Sequence, residues 1–326
     1  MTDILDAELV SHAQRARGKV VLITGGANGI GREMALQFAS YGAKIVIGDV
    51  QTAAGEKVVE EIKAAGGAAA FQRCDVTVWE EQHELFKFAL ATYGTVDVVI
   101  PNAGVTEKQS FLQSVSGSAP VKPNLLTLNI NLTAVLYTTH LAVFYLGATK
   151  QGWNKALVFI GSIASILGIP VGPQYSASKH GVIGLMGSVY DLLHSREIRV
   201  GLVAPFFTDT AILDAPIRVA LAGVPFANIK RASGAALAIA THPDPQSNGC
   251  VWTVPDEKTV FRMTRDEMNQ GGYKLLMDRV KRLFVAAGFI TQTLHTLSDL
   301  SGLVPTSFLV FAVAVALGGA VWKTTT

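Results

Sequence analysis

The chain has 326 residues, 49% of them hydrophobic and 16% charged, with a net charge of +2. No basic stripe accompanies that small surplus, which argues against nucleic acid as a partner. Its two cysteines lie far apart, so they make no disulfide framework and suit a reducing compartment; no zinc-ligand spacing occurs.

Residues 1–17 are acidic at their start and lack the apolar stretch of a secretory signal, and read as an N-terminal arm of a cytoplasmic protein. Lys19–Thr24 is a β-branched apolar run of the kind that forms a buried parallel strand. It leads directly into Gly25-Gly26-Ala27-Asn28-Gly29-Ile30-Gly31 and then into the helical pattern Arg32–Phe38. Strand, glycine turn and helix in that order form a phosphate cradle, because glycines admit a pyrophosphate to backbone N–H groups at a helix N-terminus. Lys44–Gly48 reads as the second strand, with Asp49 at its end. A carboxylate there accepts hydrogen bonds from ribose hydroxyls and repels a 2′-phosphate; the competing account is an aspartate that merely caps the next helix. Neither Val50 nor Gln51 is cationic and Asn28 is neutral, which favours NAD over NADP.

Further strands are expected at Ala68–Phe71, Val96–Ile100, Ala156–Ile160, Arg199–Ala204 and Gly249–Val254. With helices between them, this predicts an α/β, Rossmann-type doubly wound sheet of seven parallel strands over residues 18–255. Tyr175 and Lys179 stand four apart in Tyr-Ser-Ala-Ser-Lys and share one helix face. An ammonium beside a phenol favours the phenolate, so Lys179 is expected to lower the Tyr175 pKa and make it a general base for an alcohol. Ser162, thirteen residues before Tyr175, is the hydrogen-bond donor for the substrate oxygen. Ser165 is the nearby competitor for that role. Cys74 and His180 adjoin the motifs without evident partners and read as structural.

On these residues the chain resembles the short-chain dehydrogenase/reductase family. The resemblance is carried by Thr24-Gly25-x-x-x-Gly29-x-Gly31, Asp75-Val76, Asn102-Ala103-Gly104, Asn131, Ser162 and Tyr175-x-x-x-Lys179. It implies that Asp75 and Val76 line the adenine site and that Asn102, Ala103 and Gly104 end the fourth strand beneath the cofactor. It makes Asn131 the fourth catalytic member, holding a water on a relay to Lys179, with Asn129 two residues away in the sequence. Lys179 would also bond the nicotinamide ribose. Pro205, Thr208 and Thr210 would face the nicotinamide, although Phe206 stands where the family has glycine. A homodimer or homotetramer paired through the helices carrying Asn131 and Tyr175 is the implied assembly.

Residues 206–229 are apolar and match the family's substrate loop, and residues 105–123 form a second wall; both suit a lipophilic small-molecule substrate. The activity implied is NAD-dependent interconversion of a lipophilic secondary alcohol and its ketone. The alternatives are an NADPH-dependent carbonyl reductase and a cofactor-binding regulatory protein on the same fold. Residues 256–299 read as a helical extension, with a long helix from Thr264 to Phe284. Residues 300–326 are an apolar tail whose 303–322 stretch is long enough to span a bilayer. Trp322 and Lys323 at its end fit an endomembrane anchor; a helix buried between subunits has similar composition.

Overall fold

The computed structural model describes residues 2–107, 118–147, 152–170, 172–210, 218 and 221–268. The chain divides into two units, Met1–Arg265 and Asp266–Thr326, and the sheet belongs to the first. Among the described residues nine strands run in chain order: β1 (Thr2–Asp3), β2 (Val20–Thr24), β3 (Lys44–Asp49), β4 (Ala68–Arg73), β5 (Val98–Pro101), β6 (Lys155–Ile160), β7 (Ile198–Pro205), β8 (Val251–Val254) and β9 (Phe261–Met263). The helices are α1 (Asp6–Val10), α2 (Gly29–Ser40), α3 (Thr52–Ala64), α4 (Trp79–Tyr93), α5 (Leu126–Gly147), α6 (Pro173–Ser195), α7 (Ile229–Thr241) and α8 (Arg265–Met268).

The strands form one sheet in the order β1-β9-β8-β7-β6-β5-β2-β3-β4. From β4 to β8 every pairing is parallel, which gives the seven-stranded doubly wound core expected from the sequence. Every residue of β2, β5, β6, β7 and β8 is buried, as a parallel sheet covered on both faces requires. Helices α2 and α7 pack together, with α7 also on β6 and β7, while α4 and α5 pack on each other and α6 on β6 and β7. Helix α5 is the one helix among the described residues long and apolar enough to cross a membrane. It packs against α4, α6, β5 and β6, and this packing accounts for its composition.

The seven-strand expectation is corrected at one edge. β9 runs antiparallel to β8 and β1 antiparallel to β9, extending the sheet to nine strands. A two-residue strand carries no periodicity, so nothing local marks β1; only its distant partner defines it. The arm continues into α1, which lies on α7 at Gly234, where a Cβ would stand 3.3 Å from Leu9. Leu9 is 3% exposed, and Asp6 pairs with Arg231 at 2.8 Å. The proposed long helix beyond Met268 and the tail at 300–326 lie outside the described residues.

Burial on this scale makes the arm part of the core. Leu9→Ala is expected to destabilise the unit by about 2–5 kcal/mol, measured as a lower denaturant midpoint at constant slope.

Candidate active site

The chain leaves β2 toward β3 and β4 on one side and returns to β5 on the other. At that reversal the loops after β2 and β5 part, opening a crevice beyond the carboxyl ends of the strands. Two residues tie its floor together. The Thr24 hydroxyl accepts from the amides of Asn102 (3.1 Å) and Ala103 (3.3 Å), and Asn102 Nδ2 donates to the carbonyls of Thr24 (3.0 Å) and Gly25 (2.8 Å). The glycine turn then passes so close that a Cβ on Gly25 would lie 2.7 Å from Ala103 Cα, and one on Gly31 would lie 2.1 Å from the Gly25 carbonyl oxygen. Gly25 and Gly29 have φ of 67° and 55°, in the left-handed region. The loop leads into α2 with the Gly25 amide donated to the Gly48 carbonyl at 2.7 Å, and Ile30 follows in the helix's first turn. This is a cradle that fits a cofactor pyrophosphate.

Asp49 is 7% exposed at the end of β3. Its Oδ2 accepts from the Ala27 amide at 3.0 Å and its Oδ1 from the Gln51 amide at 3.0 Å. It thus braces the glycine turn and begins the turn into α3, and each oxygen keeps a lone pair for a further donor. Asn28 donates to Gln51 Oε1 at 3.1 Å beside it, and Arg73, paired with Asp49 in the sheet register, is engaged by Glu81 at 2.7 Å. Asp75 Oδ1 accepts from the Thr77 amide (2.9 Å) and hydroxyl (2.7 Å), which folds the turn that presents Val76. The Val76 carbonyl is held by Gln82 Nε2 at 2.5 Å.

Ser162 follows β6 in extended conformation and caps a short 3-10 turn. Its Oγ accepts from the Ala164 amide at 3.1 Å, leaving the hydroxyl proton to donate. The Ser165 hydroxyl instead faces inward and accepts from the Ser162 amide at 3.2 Å. Ser165 thereby braces the Ser162 backbone. Tyr175 and Lys179, one turn apart on α6, face this end of β6: Lys179 Nζ donates to the Ile160 carbonyl at 3.0 Å and lies 5.8 Å from the Tyr175 ring centre. Asn131 is fully buried in a π-helical turn, Asn129–Thr133, and its amide forms a two-way pair with the Val105 backbone at 2.8 Å in each direction. Gly104 packs against it: a Cβ there would stand 3.3 Å from Asn131 Oδ1.

The expected electrostatics are corrected in one respect. Burial around the hydroxyl raises the Tyr175 pKa, and what opposes the rise is a side-chain hydrogen bond with Ser162. Burial also lowers Lys179 to about 8. Lys179 still carries its charge at pH 7, but burial outweighs its field, so in the cofactor-free protein the phenol is not brought down toward neutral.

At the far wall Pro205 ends β7, paired with Val254. Phe206 donates its amide to the Val254 carbonyl at 2.9 Å and packs its ring against the core, so its bulk is accommodated there. Thr208 is buried, and the Thr210 side chain lies about 3.5 Å from the position of a Cβ on Gly29, closing over the glycine turn. Residues 108–117 and 211–217, in the two expected substrate walls, lie outside the described residues. Cys74 is buried and pushed up to about 12 by that burial, while His180 Nδ1 meets the Ser176 carbonyl at 2.9 Å; both are structural. Sequence reasoning missed Gln82, which is wholly buried and also joins the Ala134 carbonyl (3.0 Å) and the Thr138 hydroxyl (2.7 Å). Its signal was a polar residue on the apolar face of α4, beside Leu85, Phe86 and Ala89.

A switch-point crevice with a glycine cradle at one end and a serine–tyrosine–lysine group at the other defines a dinucleotide-dependent oxidoreductase. Residues 19–217 match the short chain dehydrogenase family, and the chain belongs to it. Family members use nicotinamide cofactors and act on small-molecule alcohols or carbonyls. Three relatives illustrate the range. The short-chain dehydrogenase/reductase ascJ of Acremonium egyptiacum is 34% identical over 68% of this chain and 73% of its own. The 5'-hydroxyaverantin dehydrogenase of Dothistroma septosporum is 33% identical, over 63% and 71%. The cyclohexanol dehydrogenase of an Acinetobacter species is 32% identical, over 62% and 77%. Among solved structures, a dehydrogenase/reductase from Sinorhizobium meliloti shares the fold with a TM-score of 0.66 at 24% identity, covering 75% of this chain and 97% of that one.

The Lys179 shift fixes a sign for stability. Its pKa is about 8 when folded against 10.5 when exposed, so its contribution is most favourable above pH 10.5 and is lost as pH falls through about 8. Lys179→Met is therefore expected to melt at a higher temperature than the parent at pH 7, cofactor-free, with the advantage shrinking toward pH 10.5.

Proposed function

We propose that this protein is an NAD-dependent dehydrogenase interconverting a lipophilic secondary alcohol and its ketone, with Ser162, Tyr175, Lys179 and Asn131 as its catalytic set. The observation that carries the proposal is the gathering of Ser162, just after β6, with Tyr175 and Lys179, one turn apart on α6, at the end of that strand, where Lys179 Nζ donates to the carbonyl of its last residue, Ile160, at 3.0 Å. In oxidation, Tyr175 takes the proton of the alcohol hydroxyl while Ser162 donates to the same oxygen as it becomes a carbonyl. In reduction Tyr175 returns the proton. Lys179 spends one donor on Ile160 and as an ammonium keeps two for ribose hydroxyls. Asn131 fixes Val105 and, through it, the wall of the crevice. When bound, the nicotinamide supplies the hydride acceptor for oxidation and the donor for reduction.

The cofactor would be held by Thr24, Gly25, Asn28, Gly29, Ile30 and Gly31 at the pyrophosphate, by Asp49 at the adenosine ribose, and by Asp75 and Val76 at the adenine. Asn102, Ala103 and Gly104 would lie beneath it, and Pro205, Thr208 and Thr210 beside the nicotinamide. The free lone pairs of Asp49, with neutral Val50 and Gln51 next to it and Arg73 taken up by Glu81, support NAD over NADP. Relatives named for cyclohexanol and for 5'-hydroxyaverantin support an alcohol with an apolar body. Exposed Leu136 and Phe144 on α5 and Leu192 on α6 support pairing of subunits through those helices. The charge-free composition of 303–322 supports a cytosolic catalytic unit held at an endomembrane.

NADH formation by the purified full chain, on a panel of lipophilic secondary alcohols with NAD and NADP side by side, tests this reading. Tyr175→Phe is expected to lower kcat by about a hundred- to ten-thousand-fold while NADH binding stays within about threefold; retained turnover or lost binding would count against the role. Asp49→Asn keeps a carbonyl acceptor for the Ala27 amide and removes only the charge. It is expected to shift kcat/KM toward NADP by about tenfold or more, as removal of a like-charge contact should.

A further inference from the structure

Glu107 lies beyond β5 on a segment fixed at every residue. Val105 is held by Asn131, the Thr106 carbonyl accepts from the Thr127 hydroxyl at 3.3 Å, and Glu107 Oε2 accepts from the Tyr175 amide at 2.8 Å. Helix α6 begins with Gly172 and Pro173 and has no side-chain cap of its own. Glu107 supplies one from another element, its negative charge at the positive end of the helix. This explains one carboxylate oxygen. The other, Oε1, is buried from solvent and without a hydrogen-bond partner, although the residue as a whole is only partly buried.

A cap requires one acceptor, and a buried acceptor with no donor asks for an explanation. The neighbouring Gln174 repeats the pattern: its Nε2 donates to the Asn124 carbonyl at 2.9 Å, and its Oε1 is buried and unpartnered. Both atoms belong to side chains that flank Tyr175, one by its bond and one by sequence. Both are acceptors, so the missing partner is a donor.

The geometry points to Glu107 as a specificity-determining residue: its Oε1 accepts a hydrogen bond from a second hydroxyl of the substrate, set apart from the hydroxyl that reacts at Tyr175. This rests on the alcohol dehydrogenase reading and narrows it from lipophilic alcohols to those carrying an additional hydroxyl donor. An ionised carboxylate offers only acceptors. It therefore selects against an ether in the same place, and against a bare hydrocarbon that leaves Oε1 unpaired.

The test uses 1-phenylethanol, its three ring-hydroxylated isomers, and their methyl ethers, with the full chain and Glu107→Gln. Glutamine retains a carbonyl oxygen for the Tyr175 amide while placing an amide nitrogen where Oε1 stands. The quantity read is the ratio of kcat/KM for each phenol to that for its methyl ether and for the parent alcohol, whatever the variant does to absolute rates. In the wild-type protein at least one isomer should be favoured by about tenfold or more, and in Glu107→Gln that preference should fall to within about threefold. No preference in the wild type, or a preference that survives the substitution, overturns the proposal. If no compound is turned over, the dehydrogenase reading for this substrate class fails, and the same ratios are taken from dissociation constants measured calorimetrically on NADH-saturated protein. There, a preference lost in Glu107→Gln sustains the acceptor role, and an absent or unaltered one overturns it.

Discussion

Everything in the crevice depends on how closely two backbones meet where the sheet reverses. Thr24 and Asn102 exchange four hydrogen bonds' worth of contact between the ends of β2 and β5, each using its side chain on the other's segment. That lock sets the glycine turn 2.7 Å, Cβ to Cα, from Ala103, a separation no side chain tolerates. Glycine is therefore dictated twice, by left-handed φ at Gly25 and Gly29 and by contact at Gly25 and Gly31. The same β5 segment continues through Val105 to Glu107, so one stretch of backbone links the phosphate cradle to the amide of Tyr175.

The catalytic end is governed by burial. Sealing Tyr175 and Lys179 from water raises one pKa and lowers the other, which brings both groups closer to neutrality of charge. Such a pair costs folding energy that a charged partner could offset. The Ser162 hydrogen bond offsets part of it at the tyrosine, and the Ile160 carbonyl holds the amine in place. The site is thus stressed by its own surroundings in a way that favours the arrival of compensating charge.

The sequence made the parallel core and the shared helix face of Tyr175 and Lys179 readable because both are encoded locally. Five of the strands are wholly buried and read as continuous apolar runs, and the Tyr175–Lys179 spacing is a helix period. What escaped was encoded at a distance. β1 exists only because residues 261–263 lie beside it, Gln82 serves carbonyls on α5 and after β4, and Glu107 meets an amide on α6. The direction of the Tyr175 shift escaped for a related reason: spacing on a helix shows that a lysine is near, while burial decides whether its field prevails.

The pairing of β1 with β9 gives the unit an order of assembly. Residues 2 and 3 are synthesised well before their strand partners, residues 261 and 262, at the other end of the unit. Until those emerge, β8 presents an open edge and the face of α7 that takes Leu9 has only the arm's local tether to keep it covered. The β1 segment thus acts as a clasp, closed late on an edge that would otherwise be available to a neighbouring chain during synthesis.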